Sequence, residues 1–215
     1  MSSPCTTTLL LLILAFHTTG GQSHRLFQRE SLKQQQLSNA HDMITTVAAT
    51  SPSPSCPCDT STLCTPVQGP PRNEKGEVFG FVNKNTDPAS LNWTHITTVA
   101  WGSTPEMMCA AHSHGARVVV SSPSVNLTLL TNVTKRQQWV ATAVSLVITN
   151  YYDGMVFDYE SPQLKGSIEG ATYALVVADT RRALQKLRSS YQVSTCVAWS
   201  PDNIDGRVSL SFTTV

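Results

Sequence analysis

From Glu77 onward the apolar positions fall into short runs that alternate with amphipathic stretches. Val78-Phe-Gly-Phe-Val82, Ile96–Trp101, Arg117–Ser121, Gly154–Asp158 and Val193–Trp199 are rich in β-branched and aromatic residues, and such runs predict strands. After the second, Thr104 followed by Pro105, with Gly115 in the terminating place, predicts a short capped helix. Thr134 and Gln137 have capping-box spacing, and behind them Val140, Val144 and Val147 recur at helical intervals, widened by Trp139, Ala143 and Leu146. From near Gly170, Tyr173, Val177, Leu184, Leu187 and Tyr191 line one helix face. Arg181, Arg182, Lys186 and Arg188 gather toward its C-terminal half, where the macrodipole favours cations. Nearly continuous apolar strands alternating with amphipathic helices imply parallel pairing under helices, an α/β fold. A doubly wound sheet and a (β/α)8 TIM barrel both satisfy this pattern, and periodicity does not choose between them.

The start of the chain reads differently. Leu9–Phe16 is a sustained apolar stretch that leads into small and polar residues through Gly20, Gly21 and Ser23, which predicts a secretory signal over 1–23. Residues 24–55, with Gln34-Gln35-Gln36 and a closing Ser-Pro run, read as a polar linker or pro-segment ahead of a domain at 56–215. Asn92-Trp-Thr, Asn126-Leu-Thr and Asn132-Val-Thr are glycosylation acceptors that agree with secretion. Past the signal stand Cys56, Cys58, Cys64, Cys109 and Cys196. In an oxidising compartment the close-set Cys56, Cys58 and Cys64 read as a disulfide knot, with Cys109 a further candidate. No second Cys/His cluster stands at ligand spacing, so no metal site is expected. Five cysteines is an odd number, leaving one thiol over or paired outside this sequence.

Charge and length narrow the classes. A net charge of +1 with 13% charged residues gives no strong field to recruit nucleic acid or an anionic membrane. No apolar run approaches the roughly 18 to 20 residues that span a bilayer. No Gly-rich phosphate loop follows a strand, so no cofactor is expected. Cys56–Val215 is 160 residues, whereas a complete eightfold barrel needs about 250. Five strands make an adequate open sheet or five-eighths of a barrel.

Chemistry concentrates at the fourth strand. In Asp153-Gly-Met-Val-Phe-Asp158-Tyr-Glu160, acids invade an apolar run. Alternation sets Val156, Asp158 and Glu160 on one face, and Met155, Phe157 and Tyr159 on the other. Asp158 and Glu160 then sit at the C-terminal end of a parallel strand, where such folds place active sites. Two carboxylates about 7 Å apart along one strand face interact in a partly desolvated site, which favours holding one of them protonated as a general acid.

The octet resembles the Asp-Gly-x-x-x-Asp-x-Glu signature of family 18 glycoside hydrolases. Cys56-Pro-Cys58 with Cys64, Trp93–Ala100, Met108–Val119 and Val197–Asp205 resemble lysosomal members of that family. The resemblance implies a TIM barrel that hydrolyses β-1,4 bonds between N-acetylglucosamine residues by substrate-assisted retaining catalysis, an exception to the two-carboxylate scheme. It implies Glu160 as proton donor and Asp158 as the residue that orients the substrate acetamido group. It implies Asp153 as a support for the strand and the carboxylate pair, Tyr159 as a sugar contact, and Trp199 as either a sugar contact or a plain core aromatic. It also implies a monomer that binds N-acetylglucosamine oligosaccharides, reaching the lysosome by the secretory pathway or leaving the cell. Val156 departs from the many members with a third inward Asp there. The resemblance stops after Asp205, which implies that about five βα units are present. A non-catalytic, lectin-like sugar binder, or an inactive truncated product, is the alternative.

Overall fold

The computed structural model describes residues 55–68, 76–164 and 166–196, and the backbone of 207–208. The expected signal, nearly all of the expected linker, Trp199 and the stretch through Asp205 lie outside these residues. The strands are β1 (Phe79–Val82), β2 (Thr98–Trp101), β3 (Arg117–Ser121), β4 (Gly154–Phe157), β5 (Gln163–Leu164), β6 (Gln192–Thr195) and β7 (Arg207–Val208). The helices are α1 (Pro105–Ser113), α2 (Leu127–Leu130), α3 (Val133–Thr149) and α4 (Ile168–Leu187). Two 3₁₀ turns, Ser61–Cys64 and Pro88–Ser90, complete the regular elements of the described residues.

Strand order settles what periodicity left open. β1-β2-β3-β4-β6 form one sheet, every pair parallel and every neighbour next in sequence, apart from the small antiparallel β5–β7 pair. Right-handed crossovers that never reverse direction put all helices on one face, whereas a doubly wound sheet reverses and covers both. The sheet is therefore the arc of a barrel. Its curl is visible at the bottom. Glu77, just ahead of edge strand β1, and Gln192, the first residue of the opposite edge β6, meet through a 3.0 Å hydrogen bond from Gln192 Nε2 to Glu77 Oε1. Thr98 Oγ1 donates to the same carboxylate at 2.6 Å, and Arg117 Nη1 donates to Gln192 Oε1 at 3.1 Å. Inward side chains of four strands thus share one polar layer, the arrangement that fills barrel interiors.

The outward face carries the main core. Val99, Val118, Met155 and Phe157 from the strands pack against Met107 and Met108 of α1, Val140, Val144 and Val147 of α3, and Tyr173, Val176 and Leu184 of α4. Phe157 is fully buried, a burial that contributes about 1.5–3 kcal/mol. A smaller inward cluster joins Ala100, Val119 and Val156.

Local capping chemistry sets the helix starts. Thr104 caps α1 as expected, accepting from Met107 N–H at 3.1 Å. For α3 the cap is Asn132 and not Thr134: its side chain accepts from Lys135 N–H at 3.1 Å, and the helix begins earlier than the Thr134–Gln137 box predicts. Asn is among the strongest N-cap residues, and Asn132 already has the extended backbone a cap needs. α4 starts at Ile168, capped by Ser167, whose hydroxyl accepts from Gly170 N–H at 3.1 Å. It ends at Leu187, so Tyr191 lies past the helix, and Leu187 is exposed where the stripe predicted contact. Among the described residues, no helix is long and apolar enough to cross a membrane.

Candidate active site

A cavity of about 340 Å³ opens beside the C-terminal ends of β2, β3 and β4, lined by Trp101, Ser121–Val125, Asp158 and Tyr159. Trp101 ends β2 in a left-handed conformation, φ 73°, at the centre of a three-residue turn in which Gly102 N–H donates to Ala100 O at 3.0 Å. A bulky residue in this conformation costs on the order of 1–3 kcal/mol, and such strain clusters at ligand sites. The turn leaves the indole 47% exposed, with its ring edge-on to Phe81 at 4.9 Å between centroids. Gly102 makes the turn possible. A Cβ there would lie 2.7 Å from Asn83 O and 2.7 Å from Val82 Cγ2. The Ser121–Val125 wall is pinned at both ends. Ser122 N–H donates to Val156 O at 2.9 Å, and Trp139 Nε1 of α3 donates to Ser124 O at 3.0 Å.

Asp158 and Glu160 follow β4 directly, and alternation puts them on the inner face. Asp158 borders the cavity, whereas Glu160 stands outside its lining. Both are exposed. The partly desolvated setting expected for this pair is not supplied by the described residues. Each acid lies past the last paired residue of β4, at a height where β3 and β6 also end. Tyr159 has the opposite parity. Its ring lies 5.3 Å from that of Tyr173, its hydroxyl accepts from Gln163 Nε2 at 3.0 Å, and it reaches the cavity from the side. Tyr173 is braced in turn by a 2.8 Å hydrogen bond to Thr195 Oγ1, and burial raises its pKa, which keeps the phenol neutral.

Asp153 is not part of this cluster. It lies at the root of β4, about 16 Å along the strand from Asp158 at an extended rise of ~3.3 Å per residue. It is 1% exposed, and its carboxylate is fully engaged there. Oδ1 accepts from Val67 N–H at 2.6 Å, and Oδ2 accepts from Val118 N–H at 2.7 Å and faces His112 Nε2 at 2.8 Å. The expectation that Asp153 supports the carboxylate pair therefore gives way to a role as a tie at the barrel bottom. His112 Nδ1 lies 2.5 Å from Leu63 O, so the imidazole fastens the N-terminal loop to the sheet.

The same loop carries the disulfides, Cys56–Cys64 and Cys58–Cys109. Sulfur atoms of Cys56, Cys58 and Cys64 lie within 4.8 Å of one another, but disulfide bonding takes up all three. Cys196 is the free cysteine among the described residues. The sequon residues Asn92, Asn126 and Asn132 are all exposed. Asn126 also caps α2, accepting from Leu129 N–H at 3.1 Å.

Comparison with known proteins matches this architecture. No protein-family model matches the chain. Di-N-acetylchitobiase of Mus musculus is 38% identical over 154 residues, covering 71% of this chain and 41% of that protein. Di-N-acetylchitobiase of Bos taurus is 35% identical over 127 residues, covering 58% of this chain and 70% of that sequence. The chain belongs to the di-N-acetylchitobiase family of glycoside hydrolases. A GH18 chitinase from Cycas revoluta, solved in complex with (GlcNAc)3, superposes with a TM-score of 0.52 at 12% identity, covering 63% of this chain and 50% of that one. This is a likeness of fold, and it sets the five-stranded arc within a TIM barrel. The chain spans about two-fifths of the length of its mouse relative, 41%.

Of the residues that line the cavity, the sequence reading named Asp158 and Tyr159 but not Trp101 or the serine wall. Trp101 reads as the last residue of a strand. Only the neighbouring Gly102 hints that the backbone turns there.

Proposed function

We propose that this chain carries the proton-donor side of a glycosidase site acting on β-1,4-linked N-acetylglucosamine oligosaccharides. The observation that carries the reading is the placement of Asp158 on the rim of a cavity walled by an indole and serine hydroxyls, with Glu160 one strand step beyond. Glu160 protonates the glycosidic oxygen. The substrate's own 2-acetamido oxygen attacks the anomeric carbon and forms an oxazolinium ion, which water opens with retention. Asp158 accepts from the acetamido N–H and stabilises the positive charge that develops. Trp101 offers its exposed face to a sugar ring, as aromatic rings do for apolar ring faces. The relatives named di-N-acetylchitobiase, and the fold neighbour crystallised with (GlcNAc)3, support this substrate class. Exposed sequons and two disulfides support a route through the secretory pathway, with the lysosome or the extracellular space as destination.

The test places residues 56–196 in the frame of the mouse relative, so that the rest of a barrel follows them, and measures sugar release from chitotriose. Release is expected, and Glu160→Gln is expected to cut the rate by about 10²- to 10⁴-fold, the usual worth of a general acid. The 215-residue chain alone is expected to release none. Unchanged turnover in Glu160→Gln refutes the acid assignment. Saturable binding without release in the chimera turns the reading toward a lectin-like binder.

A further inference from the structure

The surroundings of Asp158 raise the question of what holds its carboxylate. Two residues back on the inner face stands Val156, 1% exposed and packed against Ala100 and Val119, with neither donor nor proton to offer. Beside Val156 on β6 is Ser194, whose hydroxyl already accepts from Gln192 Nε2 at 3.1 Å and so points to the polar layer below. One step higher, the register that pairs Phe157 with Thr195 sets Cys196 beside Asp158. The backbone is fixed there, since Cys196 N–H donates to Phe157 O at 2.8 Å. Parallel neighbours of equal parity face the same way, and strands about 4.8 Å apart bring a thiol and a carboxylate within hydrogen-bond reach. Cys196 is half-buried against the Ala100–Val119–Val156 cluster, so its side chain is on the inner face with Asp158.

We propose that Cys196 is a positioning residue, its Sγ–H donating to the Asp158 carboxylate and holding it on the cavity rim. This assignment rests on the reading of Asp158 given above. A thiol serves only while it keeps its proton, and the surroundings ensure that it does. Burial, then the hydrogen bond to Asp158 and the negative charges of Asp158 and Glu160, push the Cys196 pKa up to about 11. The protonated thiol thus gives the carboxylate a donor from the neighbouring strand.

The contact is read without any turnover. The native 215-residue chain, Asp158→Asn and Glu160→Gln are alkylated with iodoacetamide from pH 7 to 10.5, and the Cys196 peptide is followed by mass spectrometry. The parent is expected to react slowly until the alkaline end. Asp158→Asn is expected to speed alkylation at pH 8 about tenfold, because more thiolate forms although each thiolate is a somewhat weaker nucleophile. Glu160→Gln, farther along the strand, is expected to give a smaller rise. An Asp158→Asn profile that superposes on the parent overturns the proposal. A second arm compares Cys196→Ser, which keeps a donor, with Cys196→Ala in chitotriose affinity: serine is expected to retain it and alanine to lose about tenfold. Equal affinities in the two variants also overturn the positioning role. Absence of chitotriose binding in parent and variants alike, with the alkylation shift present, sinks the functional reading and leaves the thiol–carboxylate contact standing.

Discussion

The imidazole of His112 spans two acceptors, Asp153 Oδ2 at 2.8 Å and Leu63 O at 2.5 Å, and so joins the disulfide-bonded loop to the root of β4. Only the imidazolium has an N–H for each. Burial, the largest influence, lowers the His112 pKa, but the hydrogen bond and charge of Asp153 and the Leu63 carbonyl outweigh it, so the net shift is upward from 6.5. A group with a raised folded pKa stabilises the fold fully below its unfolded value, and the contribution fades as pH rises through the folded value. Thermal unfolding followed across pH 5 to 8.5 is therefore expected to show a declining Tm above pH 6.5, and His112→Gln is expected to flatten that decline. A Tm that climbs across the same range contradicts the assignment.

Asp153 does more than pair with His112, since Val67 and Val118 N–H groups also depend on it. Asp153→Ala is accordingly expected to cost more than His112→Ala in chemical denaturation. Breaking a buried pair from one side typically costs about 3–5 kcal/mol. Equal losses in the two variants are the contrary result.

The two disulfides close loops of very different length, with sequence separations of 8 for Cys56–Cys64 and 51 for Cys58–Cys109. By chain entropy the longer loop is worth about 4 kcal/mol and the shorter about 2.5 kcal/mol. Replacing Cys58 and Cys109 by serine should thus lower the urea midpoint more than replacing Cys56 and Cys64. Comparing the two double variants decides it.

Gly154 has φ 154°, and a Cβ there would fall 1.9 Å from Gln192 O on the neighbouring strand. Backbone cannot step aside as a side-chain tip can. Gly154→Ala is expected to drive β6 away from β4, and to be seen as lost soluble yield or a broadened thermal transition. A variant with the parent Tm would mean that the strands meet differently.

Trp101→Ala removes the exposed aromatic wall while leaving the carboxylates in place. Chitotriose affinity is expected to fall roughly 3- to 10-fold, the usual worth of an aromatic contact beyond its area. Unaltered affinity places the sugar elsewhere.

The strands were legible because each carries a dense block of apolar or β-branched residues, and β1 to β4 lie within a residue or two of the runs that predicted them. Helix starts were less legible where capping candidates compete. Thr134 and Asn132 both precede the Val140–Val147 stripe, and the backbone at Asn132 decided between them. α2, only four residues long, is too short for a periodic signal. In the site, Asp158 and Glu160 were visible because charge in an apolar strand is costly. Trp101 was not, since its place at the cavity comes from a φ angle that no residue type announces. Asp153, read as a support for both its strand and the carboxylate pair, was only half legible: it does tie the strands, through Val118 N–H. Its place in the octet suggested kinship with the pair, but strand rise carries it to the far end, where its partners come from remote sequence.

Gln192 reaching Glu77 across the sheet means that the radius of curvature is already decided by side chains within these five strands. Any polypeptide that fills the remaining circumference meets a gauge, not a blank.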